Sequence, residues 1–340
     1  MSNLKLSILD LARFTKDDNS ATDVLNHSAE IAVLADQLGY TRYWFTEHHN
    51  NKSLMSMSPE IMIAHIGALT KQIRVGSGGV MLPNHSSLNV AERFSMLEAL
   101  YPGRVDLGIG RAPGTDGRTA LALRRSWELV REDVFPEQLE ELFGFFGHNL
   151  RMDHPYSSIT ASPDPSLTPE FFMLGSSMGG VQFAVKHGLA FVFAAQINAP
   201  MAVDALQYYQ KNFIPSKYYS KPKSILCMVV ITAETDEEAW HVAEPAILYW
   251  TLVTSGKLKF NSTLLPEPYD YNYSLQELAV REEILQKFVI GSPGIVSKKL
   301  QELSEITGVD EIMIFDMYPE MESRKKSYKL LAKEFNLSNS

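Results

Sequence analysis

Apolar and polar positions divide this chain into short apolar runs and longer stretches with a helical period. Residues 4–11 form an apolar run of strand length that starts almost at once, and polar loop chemistry follows over 15–20. From Thr22 onward Val24, Ile31, Ala35 and Leu38 fall on one helical face, and Gly39 follows in a position that ends helices. A second strand is predicted over 41–46, and a helix over 59–69 with Pro59 early, where its missing N–H costs nothing. A third strand over 73–82 precedes a helix over 88–100. The Pro102-Gly103 turn then leads into a strand over 105–109, and a long helical region over 119–146 is interrupted by Pro136. Residues 148–169, rich in Pro, Ser and Asp, read as loop. Strands over 171–174, 190–194 and 224–233 then alternate with helices over 179–187, 200–213 and 236–250. Between 255 and 273 the pattern fails, with two prolines, four aromatics and no sustained period, which marks an insertion. Helical pattern resumes at Leu275, and Ser292 and Pro293 open a segment that ends at Gly308. Residues 312–315 make the eighth strand, and a charged amphipathic helix from Met321 closes the chain.

Eight strands alternating with helices predict an α/β protein with parallel strands, and eight such units predict a (β/α)8 TIM barrel rather than an open sheet. The irregular intervals are then insertions in a single barrel domain spanning 1–340.

Composition narrows the function. The chain has 340 residues, 45% hydrophobic and 21% charged, which is ordinary for a globular protein. A formal net charge of −9 disfavours a general nucleic-acid binder, and the densest basic run, Arg324, Lys325 and Lys326, reads as a solvated face of the last helix. The one cysteine, Cys227, sits inside a strand-like run, so neither a disulfide framework nor a cysteine metal site is expected, and a reducing cytoplasm fits best. The amino terminus has neither the build of a signal peptide nor the apolar length to span a bilayer.

The stretch Y-T-R-Y-W-F-T-E-H-H at 40–49 carries the first chemical signal, because a strand delivers Glu47, His48 and His49 to its carboxyl end, where barrels place their chemistry. Neighbours on a strand point to opposite faces, so His48 and His49 do not converge on one metal ion, and no metal is expected. The cluster is then either a plain surface or core feature or, as the functional reading, a catalytic or cofactor-contacting histidine. Gly76, Gly78 and Gly79 stand where a barrel strand should be bulky, which means either a bulge or a flat ring lying against Gly78 and Gly79. G-I-G-R-A-P-G at 108–114 imitates a dinucleotide fingerprint but has one residue too many and is broken by Pro113. Arg111, one step past its strand, suits a bidentate grip on an anion. L-G-S-S-M-G-G at 174–180 is either a tight turn or a phosphate cup built from backbone N–H groups at a helix start, with the hydroxyls of Ser176 and Ser177 in reach.

Together, W-F-T-E-H-H at 44–49, R-V-G-S-G-G-V-M-L-P-N-H at 74–85, P-G-R-V-D-L-G-I-G-R-A-P-G-T-D at 102–116 and L-G-S-S-M-G-G-V-Q at 174–182 resemble the bacterial luciferase-like flavin monooxygenases, in order and spacing along the whole chain. The late V-I-G-S-P-G-I-V at 289–296 agrees, and the chain is most similar to the uncharacterised branch rather than to the light-emitting enzyme. The resemblance implies a (β/α)8 barrel, usually a homodimer, that takes reduced flavin mononucleotide (FMN) from a separate flavin reductase and reacts it with dioxygen on a small organic substrate such as an aldehyde. It implies His48 as the active-site histidine, Gly78 and Gly79 as a pair joined by a non-proline cis peptide behind the flavin ring, and Arg111, Ser176 and Ser177 as phosphate contacts, with Gly179 and Gly180 in the same turn. Ala195-Gln196-Ile197-Asn198 departs from a Ser-His-Phe-like segment found in close relatives, and the insertion at 255–273 is the expected substrate-covering segment. Two other functions share this reading: a deazaflavin (F420)-dependent oxidoreductase of the same superfamily, and a non-catalytic flavin-binding protein.

Overall fold

The computed structural model describes residues 4–147, 150–260, 264–268 and 270–338. In chain order the first elements are β1 (Lys5–Asp10), α1 (Ala21–Leu38), β2 (Arg42–Phe45), α2 (Pro59–Leu69), β3 (Arg74–Met81), α3 (Ser87–Leu100) and β4 (Val105–Gly110). Three helices follow, α4 (Gly117–Arg124), α5 (Trp127–Arg131) and α6 (Phe135–Phe145), and then β5 (Glu170–Gly175), α7 (Met178–His187), β6 (Ala190–Ala194), α8 (Ala195–Asn198) and α9 (Ala202–Asn212). The chain ends with β7 (Ser224–Thr232), α10 (Asp236–Thr254), α11 (Leu275–Leu285), β8 (Phe288–Gly291), α12 (Pro293–Thr307), β9 (Glu311–Phe315) and α13 (Met321–Glu334).

Eight strands pair in parallel in the order β6-β5-β4-β3-β2-β1-β9-β7, and pairing of β6 with β7 closes them into a (β/α)8 barrel. Local signals set the helix ends. The Ser20 side chain accepts the Asp23 N–H at the start of α1, and Gly39 ends that helix with φ +83°.

The ninth strand was not expected. Strand β7 is nine residues long and fully buried; Ile225 to Met228 pair with β9, while Val229 to Thr232 pair with Phe288 to Gly291. The segment from Leu275 to Gly308, read as helical, therefore splits around a short apolar strand whose four residues are too few to show a period. Pro136 is a second correction: it lies in the first turn of α6 and begins a helix instead of interrupting one, since proline is tolerated there. The 255–273 stretch contains no helix or strand among its described residues; 261–263 and 269 lie outside them, as do 148 and 149 of the expected loop.

The amino-terminal end of the barrel is closed by buried ions. Arg42, at the start of β2, donates from Nη1 to Asp106 Oδ2 (2.8 Å) and from Nε to Glu311 Oε1 (2.8 Å), and Trp44 Nε1 donates to the same Asp106 oxygen (2.8 Å). The Arg42 guanidinium also lies 4.8 Å from the Phe172 ring centre. A paired and hydrogen-bonded charge is tolerated in a core, and this plug leaves the carboxyl ends of the strands as the open end.

Candidate active site

The carboxyl ends of the strands surround a cavity of about 700 Å³. His48, Gly78, Arg111, Ser176, Ser177, Gly179 and Gly180, which come from four different strand-to-helix connections or strands, all line it.

The turn from β5 into α7 and the residue after β4 supply part of the lining. Ser177 stands at the N-cap of α7, and its hydroxyl makes no capping bond, so the helix start offers both free backbone N–H groups and a free hydroxyl. Asn198 Nδ2 donates to the Ser176 carbonyl (3.0 Å) and ties the turn to the end of β6. Arg111 follows β4 directly. Its guanidinium forms a two-point ion pair with Asp133, Nε to Oδ1 at 3.2 Å and Nη2 to Oδ2, a partner that sequence reasoning did not anticipate.

Strand β3 contributes Gly78, which has no side chain, and Met81 to the lining. The Gly78-Gly79 peptide is cis, and the register against β4 shifts between Gly78 and Val80, so a bulge and a bare backbone wall occur together. Gly78 lines the cavity, and neither glycine has room for a side chain: a Cβ on Gly78 would sit 2.5 Å from Leu9 Cδ1, and one on Gly79 2.4 Å from Leu174 Cδ1 and 2.6 Å from the Gly108 carbonyl oxygen.

Strand β2 ends at Phe45, and the next four residues continue as an extended connection. Glu47 and His49 turn toward each other, His49 Nε2 lying 2.8 Å from Glu47 Oε1, and His48 faces the cavity. The Glu47 carboxylate also accepts from His85 Nε2 (2.9 and 3.0 Å) and from the Met81 backbone N–H (2.9 Å). Burial pushes its pKa up, but the hydrogen bonds from His49, His85 and Met81 outweigh that and hold it at about 2. Glu47 is thus a permanent anion that fastens the His48 connection to the end of β3. Sequence reasoning missed His85 as its partner, although the stretch 74–85 ends on that residue. Burial lowers the pKa of His48, more than the Gly114 backbone hydrogen bond raises it, so the imidazole is neutral at pH 7.

The remaining wall is apolar and was not foreseen residue by residue. Leu9, Met313 and Phe315 reach in from β1 and β9, Trp250 from α10 and Phe260 from the irregular stretch. Cys227 is part of the wall too; burial pushes its thiol pKa far up, against a hydrogen bond with Gln196, so it stays protonated. Thr46 and Gln196 line the cavity and each carries a buried side-chain oxygen with no hydrogen-bond partner. Among the described residues, no cluster of His, Cys, Asp and Glu could hold a metal ion, and no helix is long and apolar enough to cross a membrane.

Known proteins share this architecture. The model of the luciferase-like monooxygenase family matches residues 4–311. The uncharacterized protein YceB of Bacillus subtilis (strain 168) is 40% identical over 334 residues, 98% of this chain and 99% of its own. The N-acetyl-S-alkylcysteine monooxygenase of the same organism is 33% identical over 335 residues, 97% of each chain. Among solved structures, apo-MsnO8 covers 99% of this chain and 100% of its own at 34% identity and a TM-score of 0.85. Two more distant structures share the fold alone. One is the oxygenating constituent of 3,6-diketocamphane monooxygenase from Pseudomonas putida in complex with FMN (18% identity, 98% of each chain, TM-score 0.70). The other is an F420-dependent secondary alcohol dehydrogenase (14% identity, 98% of this chain and 99% of its own, TM-score 0.68).

Proposed function

The chain belongs to the luciferase-like monooxygenase family, and from that premise we propose that it is an FMN-dependent monooxygenase acting with dioxygen on a small organic substrate, aldehydes being one candidate class. The observation that carries this reading is that Arg111, the uncapped start of α7, the backbone at Gly78 and a neutral imidazole all line one cavity. A flavin fits these features. Arg111 and the Ser176 to Gly180 turn would hold its phosphate, a flat ring would lie against the bare backbone at Gly78, and the oxygens of Thr46 and Gln196 that have no partner among the described residues can meet polar edges of a ligand.

Bound in reduced form, FMN would supply the electrons that activate dioxygen. The chain's own residues do the rest. His48, being neutral, can donate a proton from one ring nitrogen or accept one at the other as charge develops nearby. Glu47 holds the connection that carries it, and the apolar wall of Trp250, Phe260 and Phe315 keeps water away.

In this reading the enzyme is a single barrel domain that works in the cytoplasm with a separate flavin reductase. It pairs as a homodimer through α2 and α3, which pack together and expose Ile61, Leu69, Met96 and Leu100.

The test is a binding comparison followed by turnover. Arg111→Ala should weaken FMN about ten- to a hundredfold, the scale of one charge-assisted hydrogen bond, and leave riboflavin, which has no phosphate, almost unchanged. Asp133→Asn should tighten FMN several-fold, because it removes the carboxylate that occupies Arg111. Equal losses for both ligands in Arg111→Ala would reject the phosphate assignment. With reduced FMN present, substrate-dependent oxygen uptake is expected. Anaerobic turnover of a substrate would point instead to deazaflavin-type hydride transfer, and flavin binding without turnover to a non-catalytic flavoprotein.

A further inference from the structure

We propose that Phe260 is a positioning residue for His48, set by the hydroxyl of Tyr249, which Arg13 braces in turn, and that it shields the imidazole from water and bounds the space open to organic substrate. The proposal rests on the reading above only in taking His48 as the group next to the reaction.

Four contacts from three separate parts of the chain make this column. The rings of Phe260 and His48 meet edge to face with 5.8 Å between centroids, and Phe260 also packs beside Trp250 at 5.8 Å. Phe260 belongs to an irregular stretch, so no helix or sheet ladder fixes it. Its backbone carbonyl instead accepts a hydrogen bond from Tyr249 Oη at 2.6 Å. Tyr249 lies near the end of α10 with no exposed surface, and the guanidinium of Arg13, from the loop after β1, lies 4.3 Å from the centre of its ring.

Arg13 gives the column its interest. It is only 8% exposed, and its Nε and Nη2 have no hydrogen-bond partner. A buried cation needs partners, and Tyr249 supplies them: its ring face and its hydroxyl both favour the charge. The guanidinium against its ring holds the tyrosine in one orientation, and the tyrosine hydroxyl bonds the Phe260 carbonyl and so fixes where that residue stands. The result is an apolar ring beside His48 in a cavity whose lining also includes Trp250, Phe315, Met313 and Leu9, so a substrate meets hydrocarbon there as well as the charged Glu47 and Arg111.

The environment of His48 reads this out without any bound cofactor. The titratable groups on its own segment are Glu47 and His49, the loop after β4 contributes the Gly114 carbonyl, and Arg111 and Cys227 lie elsewhere around the cavity. Phe260 carries no charge, so its removal acts through water alone: a wetter site favours the imidazolium and raises the His48 pKa.

The experiment is an NMR pH titration of the ligand-free protein with labelled histidine, the His48 signal being assigned by its loss in His48→Gln. In the intact protein the midpoint should lie below that of a free histidine. Phe260→Ala should raise it by about half a unit or more toward 6.5, and Phe260→Leu, which keeps an apolar wall, should leave it near the starting value. Tyr249→Phe removes one oxygen and keeps the ring under Arg13; it should raise the midpoint in the same direction by a smaller amount. If Phe260→Ala does not fold, Tyr249→Phe decides alone. An unchanged midpoint in folded Phe260→Ala or in Tyr249→Phe overturns the proposal. FMN affinity is measured on the same samples: failure of the unmodified protein to bind FMN would reject the flavin reading, whereas the role of Phe260 stands or falls with the titration alone.

Discussion

Replacing Glu47 by glutamine should make the stability of this protein less dependent on acid, by an amount the structure allows to be worked out. The carboxylate is buried and accepts hydrogen bonds from His49, His85 and the Met81 N–H, which hold its pKa at about 2 against an ordinary 4.5. A pKa lower in the folded than in the unfolded chain means that the ionised form stabilises the fold. That contribution is complete above pH 4.5 and is lost as pH falls toward 2. At about 1.4 kcal/mol per pH unit the gap corresponds to about 3 kcal/mol at neutral pH, of which about 1.4 kcal/mol should be gone by pH 3.5. Glu47→Gln cannot ionise and cannot accept three donors at once. It should therefore be about 3 kcal/mol less stable at pH 7, and the difference should shrink to roughly half at pH 3.5. Urea unfolding of both proteins, followed by tryptophan fluorescence at pH 7, 5, 4 and 3.5, measures this directly. A difference that stays constant across that range would refute the reasoning, because the mutation would then be acting through packing and not through the charge.

Two further outcomes are expected. His48→Ala should bind FMN nearly as the parent does but lose about 100-fold in product formation, with reduced flavin still consumed and hydrogen peroxide released in place of oxygenated product; normal product yield, measured against flavin oxidised, would move the proton-transfer role elsewhere. Gly79→Ala should destabilise the barrel by about 1–3 kcal/mol, since its Cβ would meet the Gly108 backbone oxygen at 2.6 Å, while Gly117→Ala, with no atom within 4 Å, should be neutral or slightly stabilising; melting curves of the two variants side by side test the contrast.

The parts of this protein legible in its sequence are those that depend on near neighbours. The helix end at Gly39 follows from one backbone angle, and the alternation of apolar runs with helical periods was enough for the barrel. The same holds for the positions of His48, Gly78, Arg111 and the Ser176 to Gly180 turn, because each sits at the end of a strand and strand ends in a barrel share one rim. Tertiary structure alone decided what those residues meet. Glu47 finds His85 across 38 residues, Arg111 finds Asp133, Phe260 comes to rest on His48, and the second half of β7 turns from β9 to Phe288 to Gly291. Such contacts join loops and strands far apart in the chain, and they exist only once strand register and barrel closure have set the distance between them. No repeat or spacing along the sequence records that distance, so these residues could be placed around the cavity from the sequence while their partners could not.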